Sequence, residues 1–272
     1  MPSDIVTGTG GGMRHFLYAL KVQRRVVSAL ILREIVTRYG RSNIGFLWLF
    51  VEPMLFTLAV TALWTATRTV HGSDLPIVAF ALTGYAAMLL WRSMPARCMG
   101  AVESNRSLLF HRQVRILDVY ISRIVLEFAA TSSSFVLLGI TFWAFEWLLP
   151  PEDVLEVIGG WLLLAWFGMG LGLTLGGLSE KVDLIQKFWP PFSYLLFPLS
   201  GAAFIADALP PSARELVLWL PMLNCVEIIR EGYFGTKMTA HYYLDYVLIF
   251  NLALTIAGLS LVRQIGMTSN TQ

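Results

Sequence analysis

Residues 46–66 form a mainly apolar run that carries one charge, Glu52, and one proline, Pro53, inside it, and no other feature limits the possible folds as strongly. An α-helix rises about 1.5 Å per residue, so roughly 20 such residues match the ~30 Å hydrocarbon layer of a bilayer. Lipid offers no water to satisfy backbone N–H and C=O groups, which leaves a helix as the form a single run of this kind takes. A carboxylate about two turns into that layer is costly unless it is paired or meets water. Glu52 is therefore expected to face the interior of a bundle.

Further runs at 75–91, 124–149, 157–178, 188–206 and 246–262 bring the expected spans to six. With 56% apolar and 14% charged residues, a chain of 272 residues is too apolar for a soluble domain. The expected fold is an all-α integral membrane protein of six transmembrane helices. An amphipathic interfacial arm (1–45) precedes them, and short re-entrant helices precede the last span. Phe142, Trp143, Phe145 and Trp147 at the far end of the third span read as an interfacial aromatic belt. Gly168, Gly172 and Gly176 in the fourth, at four-residue spacing, allow another helix to approach closely. Pro190, Pro191 and Pro198 should kink or unwind the fifth. Residues 207–243 are apolar only in pieces, cut by Pro210, Pro211, Pro221 and Gly232, and such pieces suit re-entrant or interfacial helices.

Sixteen of the twenty Lys and Arg fall on one side of a six-span alternation, in the arm, the 92–122 loop and its edge, the 179–187 turn and the tail at 264–272 with Arg263 before it. The positive-inside rule places that side, and both termini, in the cytoplasm. The two cysteines, Cys98 and Cys225, then lie on opposite sides and should not pair, and an external thiol reagent should label Cys225, if it is not buried, and spare Cys98. In the arm, Lys21, Arg24, Arg25 and Ser28 share one helical stripe, whereas Arg33, Glu34, Thr37, Arg38 and Arg41 share the opposite one. The phase flips near Leu30, which implies two short helices or one that changes partner midway.

Glu103, Asn105, Arg106, Arg112 and Arg115 of the 92–122 loop pattern onto a helix running parallel to the membrane. It reads either as a solvated positive loop or as a docking helix whose apolar residues Leu108, Leu109 and Phe110 enter a groove on a cytoplasmic partner. Arg123 and Glu127, four residues apart, should pair on one face, and Glu52 has Arg41 or Arg92 within its reach as a partner. Phe56, Trp64, Trp189 and Phe192 are either packing residues or the lining of a path over which sugar faces slide. A relay of intramembrane acids is lacking, which argues against secondary transport. No GxxxxGK[ST], HExxH, CxxC or GxSxG occurs, so the chain shows no recognisable route to nucleotide hydrolysis, metal chemistry or nucleic-acid binding, and any ATP-driven motor is a separate polypeptide.

The block REIVTRYGRSNIGFLWLFVEP, followed by AVESNRSLLFHRQVRILD and PMLNCVEIIREGYFG, closely resembles the permeases of type-2 ABC exporters that move capsule polysaccharide. O-antigen and teichoic-acid permeases share the general layout. The resemblance implies a homodimer in the bacterial inner membrane, two copies of a cytoplasmic ABC ATPase that hold ATP and Mg²⁺, a lipid-linked acidic polysaccharide as cargo, and a periplasmic co-export protein. No cofactor is expected in this chain. Carried onto these residues, Arg38, Tyr39, Arg41, Trp48 and Glu52 would receive the lipid end at the cytoplasmic entrance, since guanidinium matches phosphate geometry. Glu103, Asn105, Arg106, Leu109 and Arg112 would couple to the ATPase, and the short outer helices near Glu227 and Arg230 would form an exit gate. The competing readings are an exporter of small hydrophobic molecules and a membrane-embedded polyprenyl-phosphate sugar transferase; the second would need a convergent acidic or metal site.

Overall fold

The computed structural model describes residues 9–40, 43–67, 75–109 and 114–269, and all regular structure among them is helical. In chain order the helices are α1 (Thr9–Tyr39), α2 (Asn43–Thr67), α3 (Ile77–Cys98), the single turns α4 (Ala101–Ser104) and α5 (Arg106–Leu109), α6 (Ile116–Ala144), α7 (Val154–Ser179), α8 (Leu184–Leu196), α9 (Pro211–Val217), α10 (Pro221–Phe234) and α11 (Leu244–Ser269). Four are long and apolar enough to cross a bilayer: Ile77–Cys98, Ile116–Ala144, Val154–Ser179 and Leu244–Met267. The apolar part of α2, Phe50–Ala66, is shorter.

Helix α7 is the axis of the bundle, with α3, α10 and α11 packed around it. The glycine stripe explains the approach of α3. A Cβ at Gly168 would sit 2.9 Å from Met94 Sδ, and one at Gly176 would sit 2.6 Å from Tyr120 Cε1 and 3.0 Å from Cys98 Cβ. Any side chain there would push α3 and α6 away. Three polar contacts tie α11 to the same helix: Asn251 Nδ2 donates to Leu163 O (3.1 Å), Trp166 Nε1 to Thr255 Oγ1 (3.0 Å) and Thr174 Oγ1 to Leu254 O (3.2 Å). Cys98 packs beside Gly172 near the C-terminal end of α7, whereas α10, which carries Cys225, packs against Val157 and Gly160 at the N-terminal end. The thiols therefore lie toward opposite ends of the bundle. Both are fully buried, so neither is open to an aqueous thiol reagent.

Several elements differ from the sequence expectation. The described part of the arm is not one of them: Thr9–Tyr39 takes the second of its two expected forms, one helix that changes partner along its length, with Lys21, Arg24, Arg25 and Ser28 exposed, Leu30 buried, and Arg33, Glu34 and Arg38 turned toward the bundle. Helix α6 begins at Ile116 instead of 124, because Asp118 at its first turn accepts the Arg115 N–H (3.0 Å) and a bond from Gln23 Nε2 of α1 (2.8 Å). Of the membrane-parallel helix expected over Glu103–Arg115, the part described up to Leu109 is two four-residue turns separated at Asn105, and residues 110–113, with Phe110 and Arg112, lie outside the described residues. The expected span 188–206 is a 13-residue helix, α8, about 20 Å long at the usual rise. The chain turns after Leu196 and passes Gly201 at φ +79°, where a Cβ would be strained. Beyond it come the short pieces expected of 207–243. Pro211 and Pro221 each sit in the first turn of their helices, where a missing N–H costs nothing.

Candidate entrance and coupling site

Four helices bring their charges together where α1 leaves the bundle. Arg38 of α1 bonds Glu127 of α6 at 2.5 Å and Glu34, one turn back, at 3.1 Å. Arg97 of α3 lies 3.4 Å from the same Glu127 oxygen and 3.9 Å from Glu52 of α2. Arg123 of α6 reaches Glu34 at 3.5 Å, and its two terminal nitrogens donate to Arg97 O (2.6 Å) and Ser104 Oγ (2.7 Å). The pair expected between Arg123 and Glu127 is thus exchanged for partners on other helices. Among the described residues Glu52 meets Arg97 rather than Arg92, and Arg41 lies outside the described residues.

The short turns α4 and α5 enter this network directly. Asn105, 4% exposed, donates from Nδ2 to Ala101 O (2.8 Å) and accepts from Arg33 of α1. Glu103 and Arg106 are paired at 3.7 Å on the outward face and are largely exposed, while Leu109 is partly buried against the core. Glu180, just past α7, faces the same turns. Burial pushes its carboxyl above the usual range; the Val102 amide and Arg123 oppose this, and Glu103 and Asp183 add to it.

A cavity of about 340 Å³ opens beside the network, lined by Glu52 and Phe56 of α2, Arg92 and Arg97 of α3, Glu127 of α6 and Tyr194 of α8. Arg92 Cζ lies over the Tyr194 ring, 3.8 Å from its centroid, and its Nε donates to Ser193 Oγ at 3.1 Å. Sequence reasoning assigned Arg92 only as a partner of Glu52, and it missed Tyr194, because the two meet across about a hundred residues. The four path aromatics separate. Phe56 and Trp64 gather on Tyr85, with ring centroids 5.9 and 5.1 Å away, and Phe197 joins them at 5.4 Å. Trp189 is buried edge-on to Trp91, and Phe192 lies at its rim. Trp48 is half exposed, and the Tyr39 side chain lies outside the described set.

Glu227 and Arg230 occupy another part of the bundle, and both are fully buried. Arg230 Nη1 donates to Phe204 O (2.6 Å) and Nη2 to Ala202 O (3.3 Å), with the guanidinium 3.8 Å above the Phe80 ring. Gly84 makes room for it, since a Cβ there would fall 2.6 Å from both Arg230 Nη2 and Ala202 O. Glu227 accepts the N–H groups of Ala206 (3.1 Å) and His241 (3.3 Å). The two side chains hold separate backbone segments and form no ion pair with each other.

The family model for ABC-2 type transporters matches residues 25–234, from the arm through α4 and α5 to the end of α10. The chain belongs to the ABC-2 type transporter family. It is 41% identical over 249 residues to the capsule polysaccharide export inner-membrane protein CtrC of Neisseria meningitidis, covering 92% of this chain and 94% of that one. It is 39% identical to the corresponding protein BexB of Haemophilus influenzae (93% and 96% covered) and 29% identical to the polysialic acid transport protein KpsM of Escherichia coli (89% and 94%). As an ABC-2 transporter chain with inner-membrane relatives and long apolar helices, it is a multi-pass membrane protein. The matched region contains the whole ion network and the Glu227 and Arg230 anchor.

Proposed function

We propose that this chain is the membrane permease of an ATP-driven exporter that carries lipid-linked capsular polysaccharide from the cytoplasm across the bacterial inner membrane. In this reading it works as a homodimer of six-span halves with both termini cytoplasmic, α2 and α8 supplying the spans beyond the four long helices and α9–α10 re-entering from the outside. Two copies of an ABC ATPase dock on α4 and α5, at the exposed Glu103 and Arg106 and the partly buried Leu109, with Arg112 beyond the described end of α5 as a further expected contact. A periplasmic co-export protein receives the glycan.

Near-full-length likeness to capsule export proteins supports the cargo. The observation that carries the mechanism is the bond chain from the coupling turns into the bundle. Asn105 holds Arg33, and Ser104 holds Arg123, which in turn holds Glu34 and the end of α3. A push on α4–α5 by a closing ATPase pair is therefore delivered to α1, α3 and α6 together. Arg38 is neutralised by Glu34 and Glu127, so its role at the entrance is to hold Glu127 in register with α1, and Arg41, Tyr39 and Trp48 remain for the approaching lipid. The buried anchor at Glu227 and Arg230 makes α9–α10 move as one body, as an exit gate requires.

Expression in an encapsulated bacterium that lacks its own capsule permease, together with the cognate ATPase, tests this. Polysaccharide should return to the cell surface. Polysaccharide that stays inside cells whose membranes contain both proteins would contradict the assignment.

A further inference from the structure

Arg92 sits six residues before the end of α3, about 9 Å into the bundle at the usual helical rise. A guanidinium at that depth is expensive unless an anion accompanies it. Arg38, Arg97 and Arg123 all have carboxylates, whereas Arg92 forms no ion pair with any described residue. Its side chain is nevertheless held. Tyr194 supports one face, and Ser193, itself fixed by a bond to Pro190 O (2.8 Å), takes the Nε proton. Among the described residues both terminal nitrogens have no hydrogen-bond partner and are left for a ligand, as the parallel fork that matches two oxygens of one phosphate.

The rest of the cavity limits what that ligand is. Glu127 is matched by Arg38 and Arg97, but Glu52 is half exposed and only 3.9 Å from Arg97, so it retains acceptor capacity. A bare dianion would meet this carboxylate unfavourably, whereas a phosphodiester joined to a hydroxyl-bearing group would place charge at one pole and donors at the other.

Building on the export reading above, we propose that this cavity is a headgroup site for a phosphodiester lipid. Arg92 receives the phosphate oxygens, Tyr194 holds the guanidinium in orientation, and Glu52 accepts hydroxyls of the adjoining sugar or polyol. The lipid is either the terminus of the cargo or a phospholipid of the bilayer, and the two share this chemistry.

The test uses the permease with its ATPase in phosphatidylcholine nanodiscs. Phosphatidylglycerol is titrated in one arm and lipid-terminated glycan in the other, and binding is read by native mass spectrometry alongside stimulated ATP hydrolysis. Arg92→Gln should raise the half-saturating concentration about tenfold or more, as loss of a charge-assisted bidentate contact implies. Arg92→Lys should recover part of this and Tyr194→Phe most of it, while Tyr194→Ala, at a well-exposed ring, should weaken binding without disturbing the fold. Arg263→Gln removes an equal charge from the exposed end of α11 and should leave the midpoint unchanged. A midpoint shifted in both arms assigns the site to the cargo terminus, and a shift with phosphatidylglycerol alone assigns it to bilayer lipid. Identical midpoints for Arg92→Gln, Tyr194→Ala and the parent in both arms would overturn the proposal. Because the readout is lipid binding, that result would leave the export assignment standing, and a failed export assay would leave the lipid result standing.

Discussion

The chain uses arginines and glutamates in two regions, and in opposite ways. Around Glu127, charged side chains meet other charged side chains, drawn from α1, α2, α3 and α6 and partly open to solvent. Around Arg230, each charged side chain is fully buried and spends its hydrogen bonds on backbone: Phe204 and Ala202 carbonyls for Arg230, Ala206 and His241 amides for Glu227. Bonds between side chains on separate helices exchange at modest cost as the helices shift. Bonds from a buried side chain to backbone cannot be replaced by water and so fix the shape of a segment. In the proposed mechanism this difference puts movement at the α1–α3–α6 junction and rigidity in the element that carries α9 and α10.

Substitutions at the two sites should therefore fail differently. Arg230→Met should have the largest effect, since it strands two buried carbonyls and empties the space beside Gly84 and Phe80. A loss of about 3 kcal/mol or more is expected, seen as a depleted membrane fraction and a lowered Tm in detergent. If Arg230→Met accumulates and melts normally, the rigid half of the comparison is wrong.

Asn105→Ala removes the link between α4–α5 and Arg33 while leaving the exposed Glu103–Arg106 pair, the proposed docking contact, in place. The complex should still assemble, and glycan exported per ATP hydrolysed should fall about tenfold, by analogy with other buried hydrogen-bonded links. Unchanged stoichiometry would remove this route of coupling.

At the ion network the cost should be smaller, because Arg97 remains 3.4 Å from Glu127 when Arg38 is lost. Arg38→Gln and Glu127→Gln should each cost about 1–2 kcal/mol, with a double-mutant cycle showing non-additivity of similar size. Additive effects would mean that the observed 2.5 Å contact carries no coupling.

The smallest effect belongs to Glu180. Burial raises its pKa on folding, so the folded state holds this proton more tightly than the unfolded chain. The favourable contribution of the protonated form is complete below the ordinary carboxylate range and is lost as pH rises through the folded value. At pH 8 the ionised group is a burden, and Glu180→Gln should raise Tm by about 1–2 °C, an advantage that vanishes near pH 4. The reverse pH trend would contradict the burial assigned to it.

The long helices were legible because length and apolarity alone define them, and the Gly168–Gly176 stripe was legible because its spacing matches a helix face. The extension of α6 back to Ile116 was hidden, since Asp118, Ser122 and Arg123 look like loop residues until Gln23, Arg97 and Ser104 arrive from elsewhere to satisfy them. The early end of α8 was obscured for a related reason: Gly201 and Pro198 were visible, but nothing local showed that Arg230 would capture the carbonyls beyond them. The charged residues of the network could be picked out in the sequence by type, while their partners, such as Glu127 for Arg38 and Arg97 for Arg123, have no trace in local spacing. Arg123 and Glu127 show this best. Spacing favours a pair between them, and three-dimensional packing offers each a stronger alternative.

The account as a whole depends on this chain being a gate driven by a motor docked from the cytoplasm. Purified permease in sealed proteoliposomes, loaded outside with lipid-terminated glycan and ATP, gives the most direct measurement. Glycan should enter the lumen only when the cognate ATPase is present, and the permease alone should neither hydrolyse ATP nor move glycan. Uptake or ATP turnover by the permease alone would contradict the account.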